Sequence, residues 1–492
     1  MTLHYPPSPP LHNTASPRDK EPDESDWDKV RKWQEERLAR KLRGEYESAV
    51  LHLSQLVNDN LSTPLRIASV RVEGAPKTRQ SFLAWLIHPH LQATSADPST
   101  SEQASNLGSV LHTTRSISRV LTETDIFHSL EAKIEKSRDA LAGEDDVDVV
   151  FKARERGRFF MKTSTEMGNG EGNASLTARA RNTFGGAETL EANISLGTTT
   201  RRAYQASLTA PLMPNLKTTG TLSLFGTDRD NTSFASSTEG LRGVKAAVRH
   251  QLAPSAHHEL AYELVSRHLG SLTPSASLST RLSAGTSLKS ALSHTLVRDT
   301  RDDPVAGTRG WYTRLHHEFA GLGGDARFHK MEGEGQFSRR LFPGTWISFA
   351  ARAGHIYRIG DTPSYFSDRF QLGGPLSVRS FRANSMGPRD GADSLGGEVH
   401  WSAGVSLISD IPRKPHWPVK THLFVNAGKL DTPSASKPLK DCLANPSVSA
   451  GVGLIYRFDP VRVEVNFGVP LVASKSDGYR RGFQVGIGLD FL

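Results

Sequence analysis

Helix-length apolar runs are missing from this chain of 492 residues: hydrophobic side chains make up 37%, and mean hydropathy is -0.42. Nowhere do about 18 apolar residues follow one another, the length that crosses a bilayer as a helix. A helical membrane protein is therefore excluded. A membrane β-barrel is not, because its strands alternate apolar and polar residues and average to ordinary hydropathy. Cysteine is nearly absent too. Cys442 is the single one, which excludes an intrachain disulfide framework and a cysteine-based zinc site and fits a reducing compartment. Dense basic runs are also lacking. Net charge is +8, with 60 Lys and Arg against 52 Asp and Glu, but the cations are interspersed among acids, so no nucleic-acid partner is expected.

The signatures of enzymes are wanting as well. There is no G-x-S-x-G nucleophile elbow, and the GNGEGN stretch at 168–173 lacks the Lys-Ser/Thr of a phosphate loop and opens a strand instead of a helix. The pairs His257-His258 and His316-His317 sit in strand-like sequence and should face opposite sides, unlike helical metal ligands four residues apart. The acids between Asp299 and Asp303 read more simply as turn and interstrand polar contacts than as a divalent-metal site. No catalytic residue, metal or cofactor is expected. The opening MTLHYPPSPPLHNTASPRDKEPDESDWDK has no apolar core of a secretory signal and is not the Arg-rich, acid-poor type of cleaved presequence. A disordered, retained leader is the expectation.

What is present falls into three regions. Residues 1–60 combine the Pro-rich tail with a charged segment from Ser25 to Asn60, where Ser25 can cap a helix carrying opposite charges three and four residues apart. That helix reads as a solvated surface helix or a docking helix. Residues 65–156 form a small α/β unit. LRIASVRVEG alternates, TRQSFLAWLI and TTRSISRVLTETDIF carry helix-spaced apolar residues, and SLEAKIEK and VDVVFKARE alternate again. The polar stretch Gln92 to Ser109 between the helices is expected to be a mobile loop.

Residues 158–492 show β periodicity throughout, in room for about sixteen antiparallel strands at about ten residues each plus turns. A soluble sandwich or propeller would show two-sided strands or a fixed repeat, and neither appears. In VRVEVNF the faces separate: Val461, Val463, Val465 and Phe467 on one, Arg462, Glu464 and Asn466 on the other. The final RGFQVGIGLDFL alternates likewise. An open apolar edge invites aggregation, so this last strand is expected to close against the first, RFFMKTSTEMGN. On that first strand Phe159, Met161, Thr163, Thr165 and Met167 would face lipid, with two threonines in mid-band. The seam should therefore hold its register weakly.

Two stretches carry a family resemblance. LVRDTRDDPVAGTRGWYTRLHHEFAGLGGDARFHK, Leu296 to Lys330, is similar to a DTRDDP segment (Asp299, Thr300, Arg301, Asp302, Asp303, Pro304) in which a strand ends, turns at Pro304 and Gly310, and returns. FQLGGPLSVRSFRANSMGPRD, Phe370 to Asp390, resembles a long sixth loop with a V/I-R-G-F/Y motif, here Val378, Arg379, Ser380 and Phe381. With one α/β unit of the POTRA kind in front, the chain resembles the core barrel subunit of the mitochondrial sorting and assembly machinery, of the BamA-type outer-membrane insertase superfamily.

The resemblance implies a multi-pass barrel of the bacterial surface antigen type in the mitochondrial outer membrane, with the POTRA-like domain in the intermembrane space. It also implies β-barrel precursors as substrates, accessory subunits on the cytosolic face, and contact with membrane lipids. Strands would be templated at the seam without enzymatic chemistry. A passive pore or a polypeptide export translocase are the alternatives. In the family the loop folds into the barrel and its arginine is locked to the wall. The F-x-D-x-G partner motif here reads Phe424, Asn426 and Gly428, and Asn cannot supply charge, so Glu464 is a further charged candidate. Ser380 replaces the usual Gly, which would strain a backbone needing positive φ. QVGIGLDF resembles the β-signal, with Gln484, Gly486, Leu489 and Phe491 at its marked positions, and Gly486 and Gly488 leave room for the loop.

Overall fold

The computed structural model describes residues 27–95, 106–168, 171–303, 307–360, 362–414, 416–434, 437–458 and 461–488. Ser25, Pro304, Leu489, Phe491 and the Pro-rich tail lie outside them, as does the middle of the expected mobile loop. No described helix is long and apolar enough to cross a membrane.

A helix covers Trp27–Asp59. The small α/β region then runs strand Arg66–Glu73, helix Gln80–Ser95, helix Leu107–Glu123, strand Phe127–Lys136 and strand Asp146–Glu155. This is the expected order. Its three-stranded sheet has Asp146–Glu155 in the middle, as its run VDVVF requires, since a central strand is covered on both sides. Both helices reach into the stretch expected to be loop. The second begins there because Asn106 caps it: its Oδ1 accepts from Ser109 N at 2.8 Å, and its own N–H donates to Ser109 Oγ at 3.1 Å. Val110, Ile117, Val120 and Leu121, at helical spacing, are buried.

The chain divides into two compact units, one of 1–71, 90–116 and 132–151, the other of 72–89, 117–131 and 152–492. Within the first, Arg66 Nε donates to Asp146 Oδ1 at 2.9 Å and Ser69 Oγ to Asp148 Oδ1 at 2.7 Å. Within the second lies the 16-stranded sheet.

That sheet is an antiparallel β-barrel whose strands follow chain order from Phe159–Gly168, the first, to Gly482–Gly488, the sixteenth. Alternation explains it. In the third strand, Thr189–Gly197, residues are exposed and half-buried in strict turn, and outward side chains such as Ile194 (54% exposed), Leu224 (55%) and Leu423 (55%) recur from strand to strand. An apolar band of this extent is stable against lipid tails, not water. Arg462, Glu464 and Asn466 point the other way and are buried.

The expected seam is described only in part, since 169–170 and 489–492 lie outside the described residues. Among the described residues the first and sixteenth strands stand at the two ends of the hydrogen-bonded order, and they approach each other there. Apolar alternation dictates which way each strand faces, but it carries no information on whether the two edges zip together.

Candidate functional site

Residues 359–398 connect the eleventh strand, Thr345–Arg358, to the twelfth, Val399–Asp410. The connection turns inward. Phe370, Leu372, Val378, Phe381 and Met386 of this loop form one buried cluster with Phe328, Ile356 and Leu430 of the wall. Burying these apolar side chains is worth about 1.5–3 kcal/mol each, which is what draws a polar-backboned loop inside. At its neck Phe370 pairs with Gly397.

The cluster carries Arg379 with it, and Arg379 is fully buried. A guanidinium cannot shed its charge, so it must be met by acceptors. Its Nε and Nη2 donate to Glu464 Oε2 at 3.1 and 2.9 Å, and its Nη1 donates to Asn426 Oδ1 at 3.1 Å. Asn426 thus accepts without charge, and Glu464 on the fifteenth strand, Val461–Val472, supplies the anion. The guanidinium also stacks over Phe424 at 5.0 Å. Glu464 serves a second cation, Arg462, and accepts from Asn466 Nδ2 at 2.8 Å, whose Oδ1 in turn meets His422 Nε2 at 2.7 Å. The sequence did not single out Arg462, although its place two residues from Glu464 on the same face was the available signal.

Beside the arginine, the loop grips the last strand. Ser380 N–H donates to Gln484 Oε1 at 2.8 Å, while Gln484 Nε2 donates to Phe381 O at 2.8 Å. One amide side chain therefore satisfies a donor and an acceptor of the loop backbone. Just before the last strand, Arg480 N donates to Ser380 O at 2.8 Å and Arg382 N to Gly478 O at 2.9 Å, so the tip pairs briefly like a strand. Gly486 lies directly opposite Glu464 in the ladder. Ser380 has φ 68, a left-handed conformation that costs a side-chain-bearing residue of order 1–3 kcal/mol. Small neighbours make the fit possible. A Cβ on Gly468 would lie 2.3 Å from Ser380 Oγ, and one on Gly428 would lie 2.7 Å from Val378 Cγ2.

The DTRDDP turn lies at the opposite end of the strands from this loop, since it follows an even strand, Gly285–Asp299, and the loop an odd one. Arg301 Nε and Nη2 donate to Asp299 at 3.0 and 2.8 Å, Nη1 donates to Gln336 at 2.7 Å, and the group stacks over Tyr312 at 4.5 Å. Thr300 Oγ1 donates to Trp311 O at 3.0 Å. Asp302 accepts from Thr308 N at 2.9 Å, Thr308 Oγ1 at 2.6 Å and Arg309 N at 3.1 Å. Burial alone would raise its carboxyl, but these donors hold it below its ordinary value. Asp303 pairs with Arg457 of the fourteenth strand. Gly310 begins the next strand with φ 112, a conformation that favours glycine.

On the first strand Phe159 and Met161 are 86% and 70% exposed, and Thr163 and Thr165 are exposed beside them. Met167 belongs to the same strand, its side chain lying outside the described set. The inner face carries Ser164, whose Oγ meets Ser175 Oγ at 2.7 Å. Of the adjacent histidines, His258 packs edge-on against His250 and His294, while His316 Nδ1 meets Thr295 Oγ1 at 2.8 Å.

Fold and site together define a transmembrane β-barrel with a loop folded into its own lumen and fixed there by a buried arginine. Comparison with known proteins supplies the rest. Residues 182–491 match the Omp85 superfamily domain. A SAM50-like protein of Schizosaccharomyces pombe is 35% identical, covering 91% of this chain and 95% of that protein. Sorting and assembly machinery component 50 homologues from Xenopus laevis (homologue B) and Homo sapiens are 33% and 32% identical, each covering 79% of this chain and 85% of their own length. The fold is also that of BamA from Haemophilus ducreyi lacking POTRA domains 1–3, with TM-score 0.72 at 18% identity over 86% of this chain and 84% of that one. The chain belongs to the Omp85 superfamily, on its sorting and assembly machinery component 50 branch.

Proposed function

We propose that this chain inserts and assembles β-barrel precursor proteins in the mitochondrial outer membrane, as a non-enzymatic template working at the seam between its first and last strands. The observation that carries the reading is the order of the sheet among the described residues, which begins at the first strand and ends at the sixteenth, with these two strands approaching each other at the seam. Main-chain groups at an edge in lipid cost several kcal/mol each when unmatched, and strand addition meets them with bonds that tolerate many sequences. A precursor's terminal strand would replace Gln484 to Phe491 and pair with Phe159 to Met167. The small α/β domain would receive precursors in the intermembrane space, with accessory subunits on the cytosolic face.

Disulfide trapping tests this in a Cys442→Ser background, since Cys442 lies in neither strand. Single cysteines at Phe159, Met161, Thr163, Thr165 and Met167 should bond to cysteines in the terminal strand of an arrested precursor, in one antiparallel register. Bonds confined to lumenal positions, or as strong at strands remote from the seam, would favour a pore through which substrates pass and would sink the templating reading.

A further inference from the structure

The tip of the loop is not its only attachment. A 3-10 turn at Phe366–Asp368 presents Asp368 to the seventh strand, Ala256–Gly270, where Arg267 Nη1 donates to Asp368 Oδ1 at 2.6 Å. Both side chains are almost wholly buried, 4% and 3% exposed. The guanidinium stacks over Tyr365 at 5.0 Å, and Lys330 of the tenth strand, Phe328–Phe342, donates from Nζ to Asp368 O at 3.1 Å. Phe366 also rests against Phe234, ring centroids 6.5 Å apart. Arg267 Nε and Nη2 and Asp368 Oδ2 have no partner among the described residues. The single bond between these two groups is therefore the main compensation for burying both charges.

Position makes the pair informative. Arg267 stands on the seventh strand and Glu464 on the fifteenth, eight places apart in an order of sixteen, so in a barrel they face each other across the bore. We infer that Asp368 and Arg267 are positioning residues that make the loop a strut, fixed to one wall at its neck and to the opposite wall at its tip, so that the last strand is held at a set distance from the first half of the barrel. A loop tethered only through Arg379 could carry the last strand inward or outward with it. A loop fixed at both walls cannot. The functional part of this inference rests on the templating reading above.

The test uses the full chain in a Cys442→Ser background, with spin labels at Leu264, which faces outward on the seventh strand, and at Val469, which faces outward on the fifteenth. Asp368→Asn alone leaves Arg267 buried without its anion and risks misfolding. The pair Arg267→Met with Asp368→Asn removes both charges, so the barrel should still fold, as heat-modifiable migration reports. A role in stability alone would be restored in that pair. A strut would not be, and the measured distance distribution should broaden while assembly of an imported precursor slows several-fold. An unchanged distribution in the folded double variant overturns the strut. A broadened distribution with assembly at full speed keeps the anchor and overturns only its link to templating.

Discussion

The two strands at the ends of the sheet are held in different ways. The first, Phe159–Gly168, pairs with the second along its length and adds the Ser164–Ser175 contact on its inner face. The last, Gly482–Gly488, pairs with the fifteenth and is also gripped from inside, where Gln484 bonds the loop at Ser380 and Phe381, and the loop in turn bonds Glu464 and Asn426. One edge depends on its ladder; the other depends on its ladder and a buried polar network. The difference teaches that the two edges are not equivalent partners for an incoming strand. Displacing the last strand means satisfying the loop again, whereas pairing with the first strand asks nothing of the loop.

The largest effect should come from Glu464→Leu, which strips the carboxylate from both Arg379 and Arg462. Breaking a buried pair from one side costs about 3–5 kcal/mol, so trypsin should cut the loop at Arg379 or Arg382 in the folded barrel. A loop that stayed protected would show that Glu464 is not what holds it. Next comes Gln484→Leu. It leaves one donor and one acceptor of the loop backbone unmatched, at about 1–3 kcal/mol each, and amide exchange should quicken in the last strand and not in the first. Equal quickening at both edges would erase the asymmetry.

A tighter probe is Gly468→Ala, whose Cβ would meet Ser380 Oγ at 2.3 Å. Overpacking of this kind costs about 1–3 kcal/mol, read as a lower midpoint of thermal unfolding. Ser380→Gly should recover most of the loss, since it removes the clash and the left-handed strain together. Failure to recover would place the clash elsewhere. The smallest effect belongs to Ser164→Ala on the first strand, about 0.5–1.5 kcal/mol for one hydrogen bond. If it loosened its edge more than Gln484→Leu loosens the other, the comparison would be reversed.

Much of this was legible in the chain itself. VRVEVNF divides its faces so cleanly that Glu464 had to point inward, and a buried arginine in a loop needs such an acceptor, so Arg379 and Glu464 could be matched without coordinates. Arg267 and Asp368 could not. They lie 101 residues apart, neither sits in a motif, and a single charge on an alternating strand is ordinary in a wet lumen. Gln484 was marked for another reason, its place in a terminal address, and its grip on the loop depends on a tip geometry that only the folded chain reveals.

The apolar side chains of the loop have an electrical consequence. A bare barrel of sixteen strands is wide enough to leave an aqueous channel, yet Phe370, Leu372, Val378, Phe381 and Met386 occupy this one and are buried against its wall. An ion passing the cluster would meet apolar side chains that cannot replace its hydration shell. A barrel filled in this way is expected to conduct ions less than a bare sixteen-stranded one, which conductance in a planar bilayer would measure.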